Sequence, residues 1–245
     1  MIYVIVPAFN EAENLQSLIP ALAESCKATS EEYGIWIIND GSRDTTGQIA
    51  GFLATRYPVR VFHHETNLGV GAVFRTAIHA VCKIARENDV MIVIEGDNSC
   101  DPRLIPGMVA KIRDGADVVI ASRHSGGGGY RGFPLKRLIL SYGANFLLRL
   151  LFPISGARDF TIFYRGYCAR TLQAAVREYR EKFIECGSFV ANAEILVKLR
   201  ALGITVSEIP LLYRYDLKKG KSKLPVAATL NEYVSFIICN VGRAG

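Results

Sequence analysis

Apolar residues recur along the first half of the chain in two alternating rhythms. Short aliphatic runs at Ile2–Val6, Gly34–Ile38, Val59–Phe62, Val90–Ile94 and Val118–Ala121 read as strands. Between them, apolar positions return every three or four residues over Glu11–Ala23, Thr45–Arg56, Val70–Arg86 and Pro102–Arg113, which predicts helices. This alternation predicts an α/β fold, a mostly parallel sheet with helices on both faces. Ligands of such sheets sit beyond the carboxyl ends of the strands. Attention therefore falls on Pro7–Glu11, Asn39–Asp44 and Glu95–Asp101.

The rhythm breaks after residue 122. Ser125 is followed by glycine at 126 to 129, a segment expected to be a mobile loop. A helix is predicted over about Lys136–Leu151 and an extended piece near Asp159–Tyr164. Helices are predicted over about Gly166–Glu178 and Ala191–Leu202, then a strand at Thr205–Leu212 and a last helix over about Ala227–Cys239. No repeat and no long linker interrupts the chain, so residues 1–245 are expected to form one domain, with a change of character at 122 and an amphipathic helix over 226–245.

Composition narrows the class. Half of the 245 residues are hydrophobic and 21% are charged, which excludes a disordered or fibrous chain. Leu138–Ile154 is interrupted by Arg149 and Pro153, and Val226–Val241 by Glu232, so neither offers the roughly 20 clean apolar residues of a spanning helix. Ile2–Val6 opens the chain as a strand and not as a signal peptide. The six cysteines are scattered without a CxxC pair and read as reduced thiols of a cytoplasmic protein. Lys+Arg 29 against Asp+Glu 23 leaves a net charge of +6. The positive groups that stand out are Lys218, Lys219, Lys221 and Lys223 around Gly220, and Arg131, Lys136 and Arg137. They suit phosphate or an anionic membrane surface. Nucleic acid has only net charge in its favour and is not expected as a partner.

Four segments carry candidate chemistry. In Pro7–Glu13, Asn10 and Glu13 have the spacing of a capping box, which leaves Phe9 and Glu11 to offer a ring face and a carboxylate to a nucleobase. Asp40-Gly41 is a turn signal and Asp44 a helix cap, while Asp40 at the strand end suits a ribose hydroxyl or a base nitrogen. Asn67–Phe74 lacks the third glycine of a dinucleotide fingerprint, because Phe74 takes its place. In Glu95-Gly96-Asp97 two carboxylates, two apart in an extended segment, point to one side and repel unless a cation lies between them. Mg²⁺ or Mn²⁺ together with a diphosphate meets that demand with oxygen ligands. Asp101-Pro102 reads as the cap and first residue of the next helix.

Two basic features follow. Arg137 and Ser141 lie four apart on one helix face, either a phosphate clamp or a solvated edge. Gly220–Lys223 reads as a loop folding over a diphosphate or as a solvated turn, and the last helix as core-docking or as lying on a membrane. The four histidines form no constellation.

Taken together, these segments resemble glycosyltransferase family 2 of the GT-A fold, and within it the dolichyl- and polyprenyl-phosphate mannose or glucose synthases. The resemblance rests on Pro7-Ala8-Phe9-Asn10-Glu11, on Asn39-Asp40-Gly41-Ser42-Arg43-Asp44, on Glu95-Gly96-Asp97 with Ser99, and on Ser122-Arg123. It continues through Arg137 and Ser141, Asp159–Arg165, Glu194 and Gly220–Leu224. The chain departs from the family pattern at Asn39 and Glu95, each in place of Asp, and at Ser99, in place of Gln. It also departs at Ile162-Phe163, in place of Ser-Gly, and at Leu217, in place of an Arg for which Arg214, Lys218 or Lys219 is the candidate substitute.

The resemblance implies an inverting, metal-dependent hexosyltransferase, with residues 1–122 as donor half and 123–225 as acceptor half. Pro7, Phe9, Glu11, Ile38, Asp40 and Gly96 would hold the nucleotide sugar. Glu95, Asp97 and Ser99 would hold Mg²⁺ or Mn²⁺, and Lys223 would cover the diphosphate. Arg123, Arg137 and Ser141 would hold the phosphate of a polyprenyl or dolichyl acceptor. Asp97, Arg123 and Asp159 are the expected catalytic groups. A hydroxyl acceptor would instead need a general base, for which Asp159 or Asp101 is the candidate. A catalytically inert nucleotide-sugar-binding module is the remaining alternative. Peripheral contact with the cytoplasmic face of a membrane, directly or through an anchoring subunit, is also implied.

Overall fold

The aliphatic runs of the first half become the middle of a seven-stranded sheet. The computed structural model describes residues 1–218 and 226–241. Its elements run β1 (Ile2–Ala8), α1 (Ala12–Lys27), β2 (Tyr33–Asp40), α2 (Thr46–Ala54), β3 (Val59–His64), α3 (Val70–Cys82), β4 (Val90–Val93), α4 (Ile105–Arg113) and β5 (Val118–Ser122). They continue through β6 (Gly129–Arg131), α5 (Leu135–Leu151), β7 (Arg165–Cys168), α6 (Ala169–Tyr179), α7 (Ala191–Arg200), β8 (Val206–Pro210), β9 (Leu212–Arg214) and α8 (Val226–Val241).

The strand order is β3-β2-β1-β4-β7-β5-β8, parallel throughout except for β7, which is antiparallel to both neighbours. Val90, Met91, Ile92 and Val93 of β4 are all buried, the continuous apolar run that a strand covered on both faces requires. The covers are α1, α2 and α4, which touch one another, and α3, α6 and α7, which do likewise. On α1, Leu15, Leu18, Ile19 and Leu22 recur at helical spacing and are buried. From β1 the chain moves outward through β2 to β3, then returns to place β4 on the other side of β1. The crevice at the carboxyl ends of β1 and β4 is therefore the switch point where open α/β sheets bind ligands.

The structure corrects several expectations. The helix expected from Gly166 begins at Ala169, and its first residues are β7. A side chain at 166 would meet Ile112 Cδ1 at 3.0 Å, so glycine lets α4 pack directly on that strand. The strand expected over Thr205–Leu212 divides into β8 and β9, and β9 pairs with β6, which emerges from the glycine segment expected to be a loop. The strand before Glu95 ends at Val93, and Gly96-Asp97 lies in a turn. Asn10 is not a helix cap. Its φ is +53°, its Oδ1 accepts from Arg43 N at 2.8 Å, and α1 starts after Glu11. Asp101 does cap the turn that opens with Pro102, accepting from Arg103 N.

Candidate active site

A cavity of about 470 Å³ opens at that switch point. The sheet edge contributes Pro7, Phe9, Glu11, Asp40 and the Glu95–Asp97 turn, and the opposite wall contributes Arg137 and Ser141. Widely separated segments expected to form a site thus meet around one space. Ile38 does not join them, because it is wholly buried in the core and lies behind the lining. Lys223, with the rest of Gly220–Leu224, lies outside the described residues.

The Glu95–Asp97 turn is built for close approach. A Cβ on Gly96 would sit 2.6 Å from Pro7 O, so only glycine lets the turn cross the end of β1. Asn98, at φ +62°, donates its side-chain amide to Asn14 O, Asn14 Oδ1 and Ser17 Oγ, which pins the turn to α1. Asp97 Oδ1 accepts from Ser99 N at 3.1 Å and from the Ser99 hydroxyl. Ser99, expected as a third metal ligand, therefore stands behind Asp97. It is wholly buried and does not line the cavity.

The other Asp97 oxygen, Oδ2, accepts from Lys218 Nζ at 2.5 Å. Glu95 is held differently from its neighbour. Oε1 accepts from Phe163 N at 3.1 Å and Oε2 from the Cys100 thiol at 2.9 Å. Burial raises its carboxyl above the ordinary range; the Cys100 hydrogen bond opposes this shift and the nearby Asp97 charge adds to it.

These residues fit a hard divalent cation in one specific sense. A positive charge, the Lys218 ammonium, already rests on the outward oxygen of Asp97. No group of three or more His, Cys, Asp or Glu suited to a metal occurs among the described residues. A divalent cation here would find Asp97 and Glu95 as protein oxygens and would need further oxygens from ligand and water.

The Asp40 carboxylate is largely occupied. It accepts from His64 Nδ1 at 2.7 Å and from Leu68 N and Gly69 N, both at 2.9 Å. His64 reaches Thr76 through its other nitrogen at 2.9 Å, so Asp40 shapes the 65–69 loop while facing the cavity. The histidines gave no sign of this arrangement in the sequence.

Arg123 and Asp159 form a sealed pair. Arg123 Nε and Nη2 each lie 2.7 Å from Asp159 oxygens, the Arg123 backbone N donates as well, and Nη2 also meets Thr161 Oγ1 at 2.6 Å. The guanidinium packs against the rings of Tyr130 and Tyr213, 5.2 and 5.6 Å from their centroids. Burial alone would raise the Asp159 carboxyl, but the Arg123 charge outweighs it and holds the pKa at about 2. Asp159 has no exposed surface and does not line the cavity. Of the two candidate bases, Asp159 is thus tied to Arg123 and set back from the cavity. Asp101, the other candidate base, does not line the cavity and is paired at the surface with Arg103 at 2.7 Å.

On the opposite wall, Arg137 and Ser141 face the cavity from one side of α5, as their spacing predicts. Arg137 Nη1 is 3.4 Å from Tyr215 Oη, and Ser141 Oγ is 3.0 Å from Tyr130 Oη. Phe133 lies against Tyr130, Tyr213 and Tyr215, forming an aromatic cluster against which both arginines rest. These rings come from segments without periodicity, and nothing in the sequence joins them.

The chain matches the family model described as glycosyl transferase family 2 over residues 3–180. It is 29% identical over 227 residues to the polyprenol monophosphomannose synthase of Mycolicibacterium smegmatis, covering 90% of this chain and 80% of that protein. It is 30% identical over 235 residues to the dolichol-phosphate mannosyltransferase of Pyrococcus furiosus, covering 96% of this chain and 62% of that longer protein. Among solved structures, glucosyl-3-phosphoglycerate synthase from Mycobacterium tuberculosis, in complex with Mn²⁺, uridine diphosphate and glucosyl-3-phosphoglycerate, superposes with a TM-score of 0.68. That match has 16% identity and covers 99% of this chain and 80% of the other. At that identity the likeness speaks for the fold alone, which is GT-A.

Proposed function

The chain belongs to glycosyl transferase family 2, and on that premise we propose that it moves a hexose from a nucleoside diphosphate sugar to the phosphate of a polyprenyl or dolichyl lipid, with inversion at the anomeric carbon. The relatives named above as polyprenol- and dolichol-phosphate mannosyltransferases support this acceptor class. The observation that carries it lies in the cavity itself. Its four carboxylates, Glu11, Asp40, Glu95 and Asp97, all stand at the sheet edge, while α5 presents Arg137 and Ser141, and Arg123 and Lys218 also line it. Asp159, a candidate base in the sequence, is paired with Arg123. A hydroxyl nucleophile needs a base to take its proton, whereas a phosphate monoester is already ionised near neutral pH and needs only positioning and charge stabilisation.

In this reading residues 1–122 hold the donor and residues 123–225 the acceptor. Phe9, Glu11 and Asp40 border the nucleoside. Asp97 and Glu95 would hold a divalent cation, which when bound neutralises the diphosphate as it leaves. Arg137 and Ser141 hold the acceptor phosphate so that one of its oxygens meets the anomeric carbon opposite the departing diphosphate. One carbon–oxygen bond forms as the other breaks, and the nucleoside diphosphate departs with the electron pair. Arg123 has spent most of its donors on Asp159 and Thr161. Its part is to build the wall, and the acceptor's charge falls to Arg137.

The same wall supports contact with a membrane. No helix among the described residues is long and apolar enough to cross one. Yet α5 leaves Leu135 (69%), Ile139 (64%), Phe146 (70%) and Leu150 (66%) exposed, and α8 leaves Val234 (56%) and Ile238 (73%) exposed. Apolar faces beside an acceptor pocket, bordered by Lys136 and Arg137, suit the surface of an anionic bilayer in which a lipid phosphate is presented. The six cysteines are unpaired, which agrees with the cytoplasmic face.

Kinetics of Arg137→Ala with a polyprenyl phosphate test the proposal. The KM for the acceptor is expected to rise about ten-fold or more, with the donor KM within two-fold, because one charge-assisted contact is lost. An unchanged acceptor KM, or transfer to a hydroxyl compound in its place, would contradict it.

A further inference from the structure

Lys218, one of the basic residues that stand out in the sequence, lines the cavity. It follows β9 and the short turn Tyr215–Leu217. Arg214 N donates to Ser99 O at 2.8 Å, so this segment is attached to the very turn that carries Asp97. The Lys218 side chain is 13% exposed and its ammonium sits on Asp97 Oδ2 at 2.5 Å. The other Asp97 oxygen is turned inward to Ser99. Glu95 is engaged by Phe163 N and Cys100, and Asp40 by three donors. A cation that binds Asp97 from the cavity meets the oxygen that Lys218 holds.

We propose that Lys218 is a placeholder for the divalent cation and a positioning residue for the donor. It neutralises Asp97 until the cation displaces it, and the released ammonium then moves onto the diphosphate. The inference rests on the metal-dependent reading above and adds an order of events to it. A compact ammonium on a flexible stem can leave one anion for another at little cost, which a guanidinium locked into a bidentate pair, such as Arg123, cannot. Cation and donor then help each other bind, because each supplies what the other's arrival removes. The cation takes Asp97 from Lys218, and the diphosphate gives Lys218 a new partner. Such coupling is reciprocal by linkage.

The test is Mn²⁺ binding by the full chain, read by electron paramagnetic resonance of the free ion, with and without uridine or guanosine diphosphate. Wild type, Lys218→Met and Lys218→Gln are compared, and circular dichroism confirms that each is folded. Without nucleotide, both variants are expected to bind Mn²⁺ about ten-fold more tightly than wild type, since no resident charge has to leave. With nucleotide, the enhancement of Mn²⁺ affinity is expected to be smaller in the variants than in wild type, and nucleotide affinity in the presence of Mn²⁺ to fall. A merely structural lysine would leave the metal affinity alone or weaken it. Equal or weaker Mn²⁺ binding by the variants, with wild type binding normally, overturns the placeholder role and leaves the metal-dependent reading standing. Failure of wild type to bind Mn²⁺ with either nucleotide overturns both.

Discussion

Asp97 is the residue to which the proposed function assigns the donor's cation. It faces the cavity, its inner oxygen is braced by Ser99, and its outer oxygen carries the Lys218 ammonium. Asp97→Asn keeps the shape and removes the charge. It is expected to lower kcat by about 100-fold or more and to abolish Mn²⁺ binding without unfolding the protein; turnover and metal titration check this together. Asp159 makes a contrasting prediction. Its folded pKa of about 2 lies below the ordinary value of 3.8, so the stability due to this pair is complete above the unfolded pKa and is lost as pH falls through about 2. Urea midpoints are expected to owe no slope to this residue from about pH 5 to 8 and to fall in strong acid. Asp159→Asn, which strands a buried guanidinium, is expected to destabilise by about 3–5 kcal/mol at neutral pH and to lose that acid-side component. The two aspartates look equally catalytic in sequence. Asp97 was legible because two acids interrupt an aliphatic run. The sealing of Asp159 was not, because its partner lies 36 positions away and only the folded chain brings them together.

Elements explain why some of the architecture was readable and some was not. Strands β1, β2, β4 and β5 announce themselves through continuous burial, and α1 through α4 through a repeating apolar face. β7 is four residues long, carries a charge at Arg165 and a glycine at 166, and shows no alternation. Its strand character comes from neighbours. Arg165 is buried with its guanidinium on the carbonyls of Asn192, Asp159 and Phe160, while α4 packs over the bare Gly166. β6 and β9 pair across some eighty positions, which local pattern does not register. The amphipathic character of α8 was visible in the sequence, but not how many apolar side chains of α5 and α8 face outward. Ile139→Glu with Phe146→Glu is expected to reduce co-flotation with anionic vesicles about ten-fold while leaving the melting temperature within a few degrees. Both side chains are already exposed. A loss of vesicle binding accompanied by unfolding would instead assign this face to the core.

At the scale of the whole molecule, four carboxylates gather where the sheet ends, and Arg137 enters the same cavity from α5. Under the proposed function, a lipid phosphate held by Arg137 attacks the anomeric carbon opposite the leaving diphosphate, so the product is expected to have the anomeric configuration opposite to that of the donor. Proton–carbon coupling at the anomeric centre reads this directly, and retention would demand a different geometry. The most direct single measurement is transfer itself. Purified protein is incubated with Mn²⁺, a panel of guanosine- and uridine-diphosphate hexoses and a short polyprenyl phosphate, and the lipid is analysed by mass spectrometry. A lipid phosphate heavier by one anhydrohexose, formed with wild type and not with Asp97→Asn, is the expected result. A donor that is consumed while the lipid phosphate stays unchanged and a hydroxyl compound gains the sugar would be the contradicting one.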